Sequence, residues 1–407
     1  MQHGLPHVVA ARLPLPHVAP RLPRRMLSRA HSHSHAGSEL PCMQASVLTA
    51  FGGPACVLPS AKHPVPGRPT GSKLLLRVRA SSVNPIDCWM ARGYGAQLFA
   101  LTGAAPPLVL GRDVVGEVVA RGPLAWGFAL GDVVAAATHP TAPGAHAELA
   151  LCAEAAAAAL PAGVADAHAA AVGFAGLTAW RGLVAQAGVG AGDSVLVLGA
   201  GGAVGGAAVQ LAASRGCTVS ATCLPAQLER VCALGAAAVE TSEQFAERVR
   251  CGEGGRLDYD VVLDGAADAE LQGALARRLR PGARLLDLNG DGICAADRAG
   301  GGLASLAAGG LSLPLKRREM AELGVEYDCK HFFWPAQRAR DLRLTLFFHA
   351  GVLFREDGAA LAQLLGLVQS GELAPRLHDE TYGLHEAGAA MATYEDGSAD
   401  GKVVLCK

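Results

Sequence analysis

Aromatic side chains make up only 5% of this 407-residue chain, charged ones only 17%, and the formal net charge is −1. No basic stripe interleaved with aromatics occurs, so the chain carries no footprint of a nucleic-acid-binding surface. Hydrophobic residues reach 51%, but alanine and glycine inflate that figure, and no uninterrupted apolar run is long enough to cross a bilayer. The 11 cysteines are odd in number and scattered, with no Cys-x-x-Cys pair. That pattern suits a reducing compartment and speaks against a disulfide framework or a zinc cluster. No Gly-x-Ser-x-Gly elbow is present, so Ser/His/Asp hydrolase chemistry has no support.

The N-terminus lacks acids. No Asp or Glu precedes Glu39, whereas Arg12, Arg21, Arg24, Arg25 and Arg29 fall in the same stretch. Residues 1–42 therefore read as an organelle transit segment, or else as a tail of no consequence before Met43. His31, His33 and His35 alternate there, but without a fixed scaffold they read as low-complexity sequence.

What is present is a glycine-rich signature in the right setting. From Ser194 to Ala212 the chain reads Ser-Val-Leu-Val-Leu-Gly-Ala-Gly-Gly-Ala-Val-Gly-Gly-Ala-Ala-Val-Gln-Leu-Ala. An apolar run, a glycine cluster and an alanine-rich segment predict buried strand, tight turn and helix. Gly199, Gly201, Gly202, Ala203, Val204 and Gly205 would then cradle a pyrophosphate at the helix N-terminus. Further strands are predicted at Cys217–Cys223, Tyr259–Asp264 and Arg284–Leu288, and helices at Gln227–Leu234 and Ala269–Leu279. Alternation of this kind predicts an α/β fold, a doubly wound parallel (Rossmann) sheet with its ligand at the carboxyl ends of the strands.

The front of the chain differs. Lys73–Ala80, Val114–Ala120 and Gly131–Ala135 read as strands of a β-rich domain. The pairing of the two textures, with Ala80-Ser-Ser-Val-Asn-Pro-Ile-Asp87, Leu110-Gly-Arg-Asp-Val-Val-Gly116, Gly176-Leu-Thr-Ala-Trp180 and Gly401-Lys-Val-Val-Leu405, resembles the medium-chain dehydrogenase/reductase superfamily. Asn84 and Arg112 stand where its zinc alcohol dehydrogenases place a cysteine and a histidine. A neutral amide and a permanent cation cannot replace those ligands, and the four-cysteine structural lobe is missing. The chain is thus most similar to the zinc-free quinone oxidoreductase branch, a match also carried by Gly93-Tyr-Gly95 and by Lys330-His-Phe-Phe-Trp334 leading into Leu346-Phe-Phe-His349.

This resemblance implies a transit segment at 1–42, a GroES-like catalytic domain at 43–168, a Rossmann domain at 169–349 and a return to the catalytic domain at 350–407. It implies hydride transfer to a small hydrophobic quinone or enone without zinc, in the mitochondrion, with a chloroplast or the cytoplasm as alternatives. A non-catalytic scaffold of the same fold and a cytosolic alkenal reductase are the competing readings. Asn84, Tyr94 and Thr178 are the implied catalytic residues; for Tyr94 a rim position, and for Asn84 a turn before Pro85, are the plain alternatives. Asp87 is expected to orient its own loop.

For the cofactor, no carboxylate follows the second strand until Glu229, whereas Thr222 and Arg230 are at hand; NADPH is favoured over NADH. Leu224, and near the C-terminus Ser398, Ala399 and Lys402, join the implied cofactor contacts, as does Phe348. Departures from the branch accompany them: Leu224 in place of a donor, Ser242 near where relatives carry a tyrosine or lysine, Gly201 and Ala203 in the turn, and Asp400 in place of a cation. These imply a looser hold on the 2′-phosphate. The aromatic cluster of Phe332, Phe333, Trp334, Phe347 and Phe348 reads as core, quinone site or homodimer contact. Lys316-Arg-Arg318 is either a solvated turn or a weak peripheral membrane contact, and Gly290–Gly310 reads as a loop beside the cleft.

Overall fold

The computed structural model describes residues 42–94, 96, 105–139, 142–266, 269–288, 318–329 and 357–407. Residues 1–41 of the expected transit segment, the Gly290–Gly310 stretch, residues 316 and 317 of the basic run and the aromatic cluster around Phe332 and Phe348 lie outside those residues.

The front of the chain forms antiparallel sheet because its strands alternate. β1 (Cys42–Leu48) pairs with β2 (Val57–Pro64). In β3 (Lys73–Ser82), Leu74, Leu76, Val78 and Ala80 are buried while Lys73, Arg77 and Arg79 are exposed, the period-two pattern of a strand with one face on a core. Helix α1 (Pro85–Ala91) then starts on a proline, which is tolerated at a first turn because the missing N–H has no intrahelical partner there. β4 (Leu108–Val109), β5 (Asp113–Arg121), β6 (Val133–Ala137), β7 (Leu149–Ala153) and β8 (Ala157–Ala159) follow.

Helix α2 (Asp166–Trp180) joins the two halves of the fold. Ala169–Gly173 and Ala175–Leu177 are buried on every side of it, the mark of a helix enclosed in the protein interior. Its small side chains let it pack against the front strands and against the helices of the second half.

The second half alternates: β9 (Ser194–Leu198), α3 (Ala203–Ser214), β10 (Thr218–Cys223), α4 (Leu228–Ala233), β11 (Ala238–Thr241), α5 (Ser242–Arg250), β12 (Val261–Asp264), α6 (Ala269–Arg278), β13 (Arg284–Asp287) and β14 (Glu326–Cys329). Of these, β11, α5 and β14 add to the expected elements. Their sheet order is β11-β10-β9-β12-β13-β14, with each neighbouring pair parallel. The order reverses direction between β9 and β12, which is the switch point where open α/β sheets bind ligands.

The chain then returns. After α7 (Gly358–Ser370), β15 (Leu377–Gly383), α8 (Ala387–Glu395) and β16 (Lys402–Cys406) complete the front sheet. Its order is β15-β16-β3-β5-β6-β8, with β7 also paired to β3.

Candidate functional site

The glycine-rich turn sits at the carboxyl end of β9. Gly199 has φ 82°, a left-handed conformation that glycine adopts without strain. At Gly205 an added Cβ would come within 2.3 Å of the Gly199 carbonyl oxygen, so only glycine lets α3 close down on the turn. The turn is braced from β10: Ala200 N donates to Thr222 O at 2.8 Å and Gly199 N to Thr222 Oγ1 at 3.3 Å.

Between the turn and the front sheet lies a cleft of about 750 Å³. Gly199, Gly201, Gly202, Ala203, Val204 and Gly205 all line it. Free amides of a helix N-terminus and the helix dipole suit this wall to a pyrophosphate. Arg230 lines the same end and donates from Nη2 to Gly201 O at 2.9 Å. Gln227 lies against the turn where a side chain at Gly201 would sit.

Other expected contacts fall elsewhere. Thr222 is 2% exposed and is not among the residues lining the cleft; its hydroxyl oxygen accepts from Gly199 N and lies 3.5 Å from Ser242 Oγ. Leu224 is 62% exposed and is not among the residues lining the cleft. Ser398 is also off the wall; its hydroxyl donates to Asp396 Oδ1 at 2.6 Å, closing the end of α8. Ala399 lines the cleft, and Phe348 lies outside the described residues.

Asn84, Tyr94 and Thr178 are brought to one cleft. Tyr94 is nearly buried, its ring centroid 5.9 Å from that of Trp89. Thr178 Oγ1 donates one turn back to Phe174 O at 2.8 Å. Asn84 is the N-cap residue of α1 and is buried. Its backbone N–H donates to Asp87 Oδ2 at 2.9 Å, and Asp87 Oδ1 accepts from Gly111 N at 2.9 Å, so Asp87 does orient its own loop.

The Asn84 side chain belongs to a buried polar network that sequence reasoning only half anticipated. Its Nδ2 donates to Asp113 Oδ2 at 2.7 Å, and its Oδ1 accepts from Lys402 Nζ. Asp113 also accepts from Ser82 Oγ at 2.6 Å and from Phe174 N at 2.5 Å. Lys402, read from sequence as a cofactor contact, lines the floor of the cleft, 3.7 Å from Asp113 Oδ2. Burial pushes its ammonium below the usual lysine range, against the pull of Asp113 and Asp87. Arg112 is wholly buried, with Nε 3.5 Å from Asp87 Oδ1 and Nη1 donating to His139 O at 2.7 Å. Beside it, burial drives His146 toward its neutral form.

Asp113 and Arg112 were both in view in the Leu110–Gly116 motif, Asp113 as a mark of likeness and Arg112 as the cation standing where a zinc-binding histidine would be. Arg376, which also lines the cleft, carried no local signal: it reaches the site only through the strand pairing of the C-terminal return. Among the described residues, no group of three or more His, Cys, Asp or Glu side chains is placed to hold a metal ion.

Comparison with known proteins agrees with this geometry. Residues 70–187 match the alcohol dehydrogenase GroES-like domain, and residues 234–405 match the family described as zinc-binding dehydrogenase. A Drosophila melanogaster protein described as a mitochondrial NAD(P)H oxidoreductase, RTN4IP1, is 30% identical over 356 residues, which is 82% of this chain and 79% of that protein. A chloroplastic quinone-oxidoreductase homologue from Spinacia oleracea is 36% identical over 234 residues, or 55% of this chain and 68% of that one. The crystal structure of an alcohol dehydrogenase superfamily protein from Novosphingobium aromaticivorans superimposes with a TM-score of 0.67 at 27% identity, covering 90% of this chain and 99% of its own. With its GroES-like front sheet, its Rossmann sheet and a cleft walled by the glycine-rich turn between them, the chain belongs to the medium-chain dehydrogenase/reductase superfamily, as a nicotinamide-dependent oxidoreductase.

Proposed function

We propose that this chain is a zinc-independent, NADPH-dependent reductase that transfers hydride to a quinone or an enone in the mitochondrion. The observation that carries the reading is the cleft floor. Asn84 has both ends of its amide committed to Asp113 and Lys402, and Arg112 is a permanent cation held beside Asp87. Such a set offers no tetrahedral zinc ligands; of its two cations Lys402 lines the cleft, where a metal would otherwise polarise an oxygen, and Arg112 lies buried behind it. Arg230, and the lack of a carboxylate at the end of β10, favour the phosphorylated dinucleotide. The mitochondrial and quinone elements rest on what the relatives are described as and on the arginine-rich, acid-free N-terminal segment.

The residues divide the work. The glycine-rich turn and the α3 N-terminus hold the pyrophosphate, and Arg230 takes phosphate charge. Bound reduced nicotinamide supplies the hydride. Thr178 and Asn84 shape the cleft at the reacting end, where orientation in a dry site replaces bond-making by the protein. Hydride arriving at a quinone, or at the β-carbon of an enone, leaves negative charge on an oxygen. Tyr94 donates the proton that this oxygen needs, and Lys402 stabilises the charge from the floor.

The test is fluorescence titration of the full chain with NADPH and NADH, with Gly202→Asp as control, followed by NADPH oxidation against quinones and enones. Tight NADPH binding that the control abolishes, with turnover on either acceptor class, is the expected result. Failure to bind either nucleotide at millimolar concentration overturns the enzyme reading and leaves the scaffold.

A further inference from the structure

At the outer end of the cleft two arginines from distant parts of the chain grip one carboxylate. Arg230 Nη1 pairs with Asp400 Oδ1. Arg376 Nη2 reaches Asp400 Oδ2 at 2.6 Å, and its Nε donates to the Asp400 carbonyl at 3.0 Å. Both arginines line the cleft, and Arg230 is also bound to the Gly201 carbonyl of the turn. A pair of guanidinium groups beside a pyrophosphate cradle is an anion site, and here a side chain of the protein already fills it.

We propose that Arg230 and Arg376 are the cation pair for the phosphate ester of the dinucleotide, and that Asp400 is a built-in competitor for that pair which sets selectivity between NADPH and NADH. This rests on the nucleotide reading above. Asp400 is placed for exchange. Its side chain is 62% exposed, so rotation about its own bonds returns the carboxylate to water. Its backbone stays pinned, with Asp400 N donating to His378 Nδ1 at 3.3 Å and Lys402 N to Arg376 O at 2.8 Å. The competing anion is stronger: a phosphate monoester carries more charge and more acceptor oxygens than a carboxylate. NADH has no 2′-phosphate, and the backbone amides of the turn suffice for its pyrophosphate. The penalty imposed by Asp400 therefore falls on NADPH. Arg376 follows from the same geometry as a specificity-determining residue on β15's approach to the cleft.

The experiment compares dissociation constants of the full chain for NADPH and NADH in the parent protein and in Asp400→Asn, by fluorescence titration at fixed salt. Loss of a charge next to a half-exposed pair is expected to tighten NADPH roughly five- to tenfold and to leave NADH within about twofold. In an Arg230→Gln/Arg376→Gln background the same Asp400→Asn change is expected to give no gain. Equal tightening of both nucleotides would assign the arginines to the shared pyrophosphate and overturn the selectivity claim. Weaker NADH binding would make Asp400 a ribose acceptor and overturn it as well, as would no change in either constant. If both proteins bind the nucleotides with an unaltered ratio, this inference alone fails. If neither protein binds either, the reductase reading fails with it.

Discussion

Lys402 Nζ donates to Asn84 Oδ1 across 318 residues of sequence. The contact fixes which way the amide points: its oxygen meets the ammonium and its nitrogen meets Asp113 at 2.7 Å. Removing one member of such a buried set leaves its partners' charges uncompensated. Lys402→Met is expected to lower the unfolding free energy by about 3–5 kcal/mol, measured by denaturant titration. Pairing it with Asp113→Leu is expected to restore part of that loss, because two buried charges then leave together. A double variant less stable than both single ones would refute the charge-pair account.

Tyr94 separates chemistry from binding. If its phenol supplies the proton, Tyr94→Phe is expected to reduce kcat by roughly 10²-fold or more, while the NADPH dissociation constant holds. Steady-state kinetics on a quinone and an enone, alongside the titration, reads both quantities. An unchanged kcat on both acceptors would return Tyr94 to the plain rim position.

The turn is predicted to be intolerant at Gly205. A methyl group there would stand 2.3 Å from the Gly199 carbonyl oxygen, and rigid backbone cannot yield as a flexible side chain does. Gly205→Ala is expected to abolish nucleotide binding and to lower the midpoint of thermal unfolding. Gly206→Ala, whose nearest contact is the tip of Leu234 at 3.4 Å, is expected to do neither.

Asp400 also carries a pH signature. The hydrogen bond from Arg376, aided by Arg230, holds its carboxyl below the usual carboxylate range. Because the folded value is depressed, the stability it confers is full above the unfolded Asp value of about 3.9 and is lost as pH falls through the folded value. The difference in unfolding free energy between the parent protein and Asp400→Asn is therefore expected to stay level from neutral pH down to about pH 4 and to shrink below it. A difference that shrinks at neutral pH would contradict the clamp.

The parts of the fold that could be read from sequence were the local ones. Gly199 to Gly205 announced a turn because strand, glycine cluster and helix are contiguous there, and β9, β10, β12 and β13 needed only apolar or β-rich runs; β11 went unread because it is four residues long and only partly buried. The site was legible where one motif held it, as with Asn84 and Asp87. It was illegible where partners come from remote strands. Nothing near Arg376 marks it as a neighbour of Arg230, and nothing near Gly401-Lys402 tells that the lysine turns into the floor toward Asn84. Thr222 shows a subtler limit: a hydroxyl at the end of the second strand suggests a cofactor contact, but its burial off the cleft wall follows from the packing of the turn against β10, which no local pattern announces.

The pairing of β16 with β3, Val404 opposite Ser82, also bears on how the molecule is made. The front sheet waits for a strand synthesised after the whole Rossmann segment, so the Ala80–Ser82 end of β3, beyond the part that β7 covers, stays open during translation. Loop-closure entropy makes such a long-range pairing slow, and the unpaired backbone of that short edge is open to wrong partners meanwhile. Chaperone dependence during synthesis should accordingly concentrate on the front half, and the Asn84–Lys402 contact should be among the last to form.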